Sequence, residues 1–161
     1  MGPVSGYVAR VEFLGTGNAF CPSGRMHALA ILDEKILIDA PPTLLVQLRR
    51  RNISTGQIEH ILFTHWHGDH AFGFPFLILD RKYITDTSAD KILALHHRPG
   101  GREYLTSLSK LGFPGSLEDF LESRIFWNNE ESGILEGTEW SYERFPVRHT
   151  PETDPHGYEL V

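Results

Sequence analysis

The chain has 161 residues, 40% of them hydrophobic and 22% charged, which excludes intrinsic disorder and predicts one domain with a single core. No apolar run reaches the eighteen or so residues of a membrane span, and the opening MGPVSGYVARVEFLG lacks the apolar stretch of a signal peptide, so a soluble, cytoplasmic protein with no membrane partner is expected. A net charge of −6 excludes an electrostatic nucleic-acid binder of the basic kind but leaves room for a local basic patch, and the single cysteine, Cys21, excludes a disulfide scaffold or a cysteine-rich zinc ribbon. Any bound metal must be held by histidine and carboxylate.

In chain order, Tyr7, Ala9, Val11 and Phe13 alternate with Val8, Arg10 and Glu12, the two-residue period of a half-buried strand over residues 7–13. A loop broken by Gly15, Gly17, Pro22 and Gly24 follows. Residues 26–32 and 35–39 read as a hairpin turning at Asp33-Glu34, and its second arm, Ile36-Leu37-Ile38, is apolar throughout and expected at the centre of a sheet. Pro41 and Pro42 suit the start of a helix with Leu44, Leu45 and Leu48 as its apolar stripe, closing on Arg49, Arg50 and Arg51 where positive charge complements the helix dipole. After a turn at residues 54–57, the apolar run 58–64 completes a parallel strand-helix-strand unit.

Residues 71–81 predict a mostly buried helix, with Gly73 and Pro75 disturbing its start, and residues 91–96 a short strand. Pro99-Gly100-Gly101 introduces a helix with Tyr104, Leu105, Leu108 and Leu111 on one face and Gly112 as its stop. A short helix is expected at 116–121, capped by Ser116 with Asp119 three residues on. The remaining strand candidates are 124–127, 139–147 and 157–161, the second with Trp140, Tyr142 and Arg144 opposite Ser141, Glu143 and Phe145.

The chemistry concentrates in Thr64-His65-Trp66-His67-Gly68-Asp69-His70. A chance match to H-x-H-x-D-H at this composition arises in about one chain in a thousand. Neutral imidazole and carboxylate are good zinc ligands, and the C-terminal end of a strand is where α/β folds build their sites. Alternation lets His65 and His67 point to one ion, while Asp69 and His70 turn toward a second. The competing reading is a solvated polar loop. His27, His60, His96 and His97 have no histidine or carboxylate at ligand spacing and are read as surface or structural. His149 closes a strand and opens a proline-rich turn, and on spacing alone it is as readily a ligand as not. His156 is either a group facing the cleft or a structural turn histidine.

The sequence resembles the metallo-β-lactamase-fold hydrolases, and within them the ribonuclease Z-like branch. The residues that carry the resemblance are Phe13-Leu14-Gly15-Thr16-Gly17, Leu37-Ile38-Asp39, the ligand motif from His65 to His70, and the segment from His149 to Gly157-Tyr158; Gly73, Phe74 and Pro75 and the stretch from Arg98 to Gly101 match the branch more loosely. The resemblance implies an αββα sandwich, a mixed α/β fold with two zinc ions (Zn2+) in a cleft at the edge of its sheets. It implies that His65, His67 and His149 hold the first ion and Asp69 with His70 the second, and that Asp69 also accepts the proton of the attacking water. Asp39 would hold the ligand loop through hydrogen bonds, or cap the helix after Pro41, or both. Zinc is favoured over iron because the redox members resemble H-x-E-x-D-H, whereas His67 stands at the glutamate position here; iron and manganese remain open.

Two further ligands, a bridging aspartate and a last histidine, would follow the Gly157-Tyr158 strand in this family. Five of seven ligands are therefore present, and the chain is expected to cover mainly the first half of the sandwich as a single domain cut at its C-terminus, whether as a fragment, as a natural truncation, or as a chain completed by another. Three functions follow: a phosphodiesterase acting on RNA, in particular tRNA precursors, with the runs Arg49 to Arg51 and Arg81-Lys82 as candidate phosphate contacts; a hydrolase of a small cyclic phosphodiester, lactone, thioester or sulfate ester; or an inactive metal-binding half-domain. A homodimer is among the expected assemblies.

Overall fold

Ile36-Leu37-Ile38 can be apolar at every position because both of its faces are covered. In the computed structural model, which describes residues 6–86 and 91–161, this strand is the third of six in one sheet. The strands are β1 (Val11–Gly15), β2 (Leu29–Leu32), β3 (Ile36–Ile38), β4 (His60–Leu62), β5 (Leu93–His96) and β6 (Ile125–Asn128), in spatial order β1-β2-β3-β4-β5-β6. The first three pair antiparallel and the last four parallel. Asp33 and Glu34, at φ of 52° and 58°, make the tight turn between β2 and β3, which Lys35 N closes by donating to Leu32 O at 3.1 Å.

Each parallel step crosses over through helices: α1 (Leu44–Arg50) from β3 to β4, α2 (Gly68–Ala71) and α3 (Phe74–Asp80) from β4 to β5, and α4 (Gly101–Gly112) with α5 (Glu118–Ser123) from β5 to β6. Leu44 and Leu48 of α1, Phe74, Leu77 and Ile78 of α3, Leu105 of α4, and Phe120 and Leu121 of α5 form one core with Leu37, Ile61, Phe63, Leu93 and Leu95 of the sheet. The alternate sheet residues Leu32, Ile36 and Leu62 point the other way, onto Leu135, Tyr142, Trp140, Tyr158 and Leu160, as the period of two requires. Those partners belong to or flank a second, three-stranded antiparallel sheet of β7 (Ser132–Ile134), β8 (Ser141–Pro146) and β9 (His156–Leu160). The order of layers is helix, sheet, sheet, three of the four expected in an αββα sandwich. Among the described residues no helix is long and apolar enough to cross a membrane.

Local expectations differ from this in instructive places. Residues 7–10 are not strand; β1 begins at Val11 and pairs on one side only, so its alternation continues outward with little to bury it, Val8 being 84% exposed. Leu111 does not share the buried face of α4, where Leu105 and Ser109 are buried. Ser116 does not cap α5; Glu118 instead accepts from the backbone N–H groups of Gly115 and Leu117. β7 escaped notice because Ser132-Gly133-Ile134 carries no apolar alternation.

The single helix expected at 71–81 is two, broken at Gly73. The Gly73 N–H donates to Ala40 O at 2.8 Å, and a Cβ there would lie 1.9 Å from Pro41 O. The start of α3 is thus packed directly on the backbone that follows β3. Gly73→Ala must push that segment away, and overpacking of this kind costs about 1–3 kcal/mol. Thermal unfolding should show a melting temperature lower by several degrees, and an unchanged one would show that the 39–41 segment yields freely.

Candidate metal centre

The site grows from the C-terminal ends of β3 and β4. Beyond Leu62 the chain stays extended, and Trp66 turns inward, its ring 4.7 Å from Tyr104 and 5.3 Å from Phe63, while Tyr104 donates its hydroxyl to Trp66 O at 3.1 Å. With Trp66 anchored, His65 and His67 project from the opposite side. His67 then precedes the first turn of α2, which carries Asp69 and His70. The loop between β8 and β9 is tied to the same stretch by two backbone hydrogen bonds, Trp66 N to Thr153 O at 3.1 Å and His156 N to Thr64 O at 3.0 Å. These bonds bring His149 across from the far sheet.

The result is a triad of rings. His65, His67 and His149 lie with centroids 4.9–5.0 Å apart and interplanar angles of 80–90°. Each offers a ring nitrogen within 4.8 Å of the others, and His67 Nδ1 faces His149 Nε2 at 3.1 Å. His70 sits beside them, its centroid 4.2 Å from that of His65, with Asp69 Oδ2 3.4 Å from His70 Nε2. All five residues singled out by the motif and by His149 therefore converge on one end of the sheets.

Asp39 stands beneath this group, almost fully buried. Its Oδ1 accepts from Thr64 N at 2.7 Å, and its Oδ2 accepts from the Thr64 hydroxyl at 2.6 Å and from His70 Nδ1 at 2.8 Å. Of the two roles expected for it, holding the ligand loop is observed; Thr43, not Asp39, precedes α1. Thr64 is the residue that sequence reasoning passed over, although its place between an apolar strand and the first histidine was a signal. Burial, reinforced by the neighbouring His70, pushes the His65 imidazole down to about 4, so the ring is neutral near pH 7 and keeps a lone pair. For His70, burial opposes the charged form, but the hydrogen bond and charge of Asp39 outweigh it and raise the pKa.

The other histidines are structural. His60, His96 and His97 are buried, and His27 contacts the Thr43 hydroxyl at 3.3 Å. His156 is 2% exposed, with Nδ1 3.1 Å from Asp154 O and Nε2 3.3 Å from the Tyr158 hydroxyl, which favours the turn reading over the cleft. Most residues of the basic runs have intramolecular partners: Arg49 pairs with Asp80, Arg51 with Glu12, Lys82 with Asp119, and Arg81 is buried against Thr55 O, Ile58 O and Asp86, while among the described residues Arg50 contacts only the Met26 sulfur, at 3.9 Å.

The chain is similar to the ribonuclease Z of Listeria welshimeri, 32% identical over 129 residues that span 76% of this chain and 40% of that protein. It is likewise similar to the ribonuclease Z of Oenococcus oeni, 28% identical over 151 residues, 86% of this chain and 45% of that protein. It therefore spans less than half the length of these curated relatives. Human tRNase Z, short form, superposes with a TM-score of 0.70 at 22% identity over 96% of this chain and 65% of the human one. A diphosphatase of the PhnP family superposes with a TM-score of 0.63 at 24% identity over 95% of this chain and 62% of that one. Residues 9–159 match the family described as Anti-Pycsar protein Apyc1, and with nearly the whole sequence matched, the chain belongs to that family and has a ribonuclease Z-like metallo-β-lactamase fold.

Proposed function

We propose that this chain holds a divalent metal ion through His65, His67 and His149, that Asp69 and His70 serve a second, and that the site hydrolyses phosphodiesters. The observation that carries this reading is the approach of His67 Nδ1 to His149 Nε2 at 3.1 Å, across 82 positions of sequence. Two imidazole nitrogens on one tetrahedral zinc, at bonds of about 2.0–2.1 Å, stand roughly 3.3–3.4 Å apart. The observed separation is close to that edge length, and the third ring, His65, offers a nitrogen within 4.8 Å of both. Imidazole and carboxylate suit zinc well, with iron and manganese as alternatives.

Bound ions of this kind acidify a water toward a pKa of roughly 7 and neutralise phosphate charge. The protein's part is to hold its donors still and to manage the proton. Asp39 and Trp66 fix the loop from two sides, so the ligand rings are ordered in advance. In this reading Asp69, in the first turn of α2 beside His70, would accept the proton of an attacking water.

The curated relatives named ribonuclease Z support RNA as substrate, with a tRNA precursor as the first candidate. A small cyclic phosphodiester is the second reading. It is favoured by the ion pairs that engage Arg49, Arg51 and Lys82 within the chain. A homodimer belongs to the same proposal: Phe72, Phe76 and Leu111 are exposed and, with Pro75 and Phe113, line one apolar groove of about 580 Å³. The test is cleavage of a tRNA precursor, a cyclic nucleotide and bis(p-nitrophenyl) phosphate by zinc-loaded protein. Turnover of the precursor selects the first reading, and turnover of the cyclic nucleotide alone selects the second. Metal content without turnover of any of the three overturns the enzymatic reading and leaves a metal-binding half-domain.

A further inference from the structure

We propose that Thr64 is a positioning residue, which passes the acceptor power of Asp39 to His65 so that one carboxylate oxygen, Asp39 Oδ2, holds the Nδ1 proton of both His65 and His70. The argument is one of counting donors. The Thr64 hydroxyl lies 2.6 Å from Asp39 Oδ2 and 2.9 Å from His65 Nδ1. An ionised carboxylate only accepts, so the single hydroxyl proton of Thr64 goes to Asp39. Toward His65 the oxygen can then only accept, and the proton between them must sit on His65 Nδ1. The same reasoning places a proton on His70 Nδ1, which meets Asp39 Oδ2 directly at 2.8 Å. His65 is left with Nε2 as the nitrogen whose lone pair is free, directed away from Thr64 and available to the triad, whereas His70 Nε2 faces a second carboxylate, Asp69 Oδ2, at 3.4 Å.

Backbone geometry supports the assignment. Asp39 has a φ of +68°, a left-handed conformation that costs a non-glycine residue energy and persists where its surroundings over-determine it. Three hydrogen bonds to its carboxylate do so, and all three go to the ligand loop. Since one oxygen serves both rings, the two ion positions of the proposed site share a single point of orientation: His65 is reached through Thr64, His70 without it. That asymmetry separates the role of Thr64 from that of Asp39.

The inference rests on the metal-binding reading only for what the free nitrogens are used for; the tautomers belong to the metal-free chain. Long-range proton–nitrogen correlation spectra of the full chain, labelled with 15N-histidine and kept free of metal at about pH 8.5, read them directly. The expected result is a protonated Nδ1 and a bare Nε2 on His65, and a protonated Nδ1 on His70. Thr64→Val, which keeps the branched shape, should mix the two tautomers of His65 and leave His70 unchanged, whereas Asp39→Asn should disturb both. Zinc affinity by calorimetry should fall about 10–100-fold in Thr64→Val, the range for loss of an orienting partner, and return in Thr64→Ser. A proton on His65 Nε2 in the unaltered protein overturns the proposal whatever the variants do, as does a Thr64→Val protein with wild-type tautomers and zinc affinity. Fixed tautomers in a chain that binds no zinc would support the relay and overturn the metal-binding reading instead.

Discussion

Replacing both His65 and His67 by alanine should reduce the zinc content of the purified chain to background. The triad leaves little redundancy: removing two of its three imidazoles leaves the first site with His149 alone on an exposed turn, and neither a single imidazole nor the weak pair Asp69 and His70 holds zinc through purification. Zinc held by a full set of four protein ligands is bound by about 10–16 kcal/mol, so each ligand accounts for about 2.5–4 kcal/mol, roughly a hundred- to a thousandfold in affinity. Calorimetric titration of the unaltered 161-residue chain should show one firm site per chain and a second that is weak. The first ion would have three histidines, which matches the three-ligand pattern of catalytic zinc. The second would depend on Asp69 and His70, since Asp39 Oδ2 is already engaged by Thr64 and His70. Elemental analysis checks the double variant. Unchanged zinc in it, or two firm sites in a monodisperse monomeric chain, would overturn this ligand assignment.

What the sequence revealed and what it hid follow from how local each feature is. The motif from His65 to His70 was legible because its ligands lie within one strand end and one helical turn. The parallel unit β3-α1-β4 was legible because its strands are apolar on both faces and its helix carries a clear stripe. His149 was only half legible. Its nearness to His67 depends on the bonds from Trp66 to Thr153 and from His156 to Thr64, pairings between segments some ninety positions apart that no local period announces. The break at Gly73 was hidden for a similar reason, since the cause is the approach of Pro41 O rather than any preference of residues 71–81 themselves. His60 and His96 were passed over as surface or structural groups, and their environment shows why they are structural.

Between the two sheets, the buried histidines His60 and His96 belong to a hydrogen-bonded chain whose direction can be assigned, and from it we expect the fold to weaken as pH falls from about 7.5 to about 5. Asn128 Nδ2 donates to His96 Nδ1 at 3.1 Å and to the Tyr142 hydroxyl at 3.0 Å, and Tyr142 donates in turn to Glu130 O. His96 Nδ1 is therefore an acceptor, His96 Nε2 carries the proton and donates to His60 Nδ1 at 3.0 Å, and His60 Nε2 donates to Glu136 O at 2.9 Å. Every ring nitrogen is satisfied only while both rings are neutral. Burial first, then the neighbouring His60 and Arg144, push His96 down from 6.5 to about 3. Burial lowers His60 as well, against the opposing pull of Glu136 and Glu59, and it lowers His97 and His156. The sign follows from linkage: below about pH 6.5 the unfolded chain takes up a proton at His96 that the folded chain refuses, so the stabilisation is fully present above that pH and is lost progressively toward the folded value. At about pH 5 the His96 share is about 2 kcal/mol, at 1.36 kcal/mol per unit, a large fraction of the roughly 5–15 kcal/mol that holds a domain together. The raised pKa of His70 acts in the opposite sense and offsets part of the loss. Urea unfolding at about pH 7.5 and about pH 5 measures the slope, and His96→Gln isolates its source, because the glutamine amide has both a donating and an accepting group and does not titrate. The variant should lose about 2 kcal/mol less than the unaltered chain over this range, whatever its stability at neutral pH. Equal losses in the two proteins would show that the acid sensitivity lies in other groups.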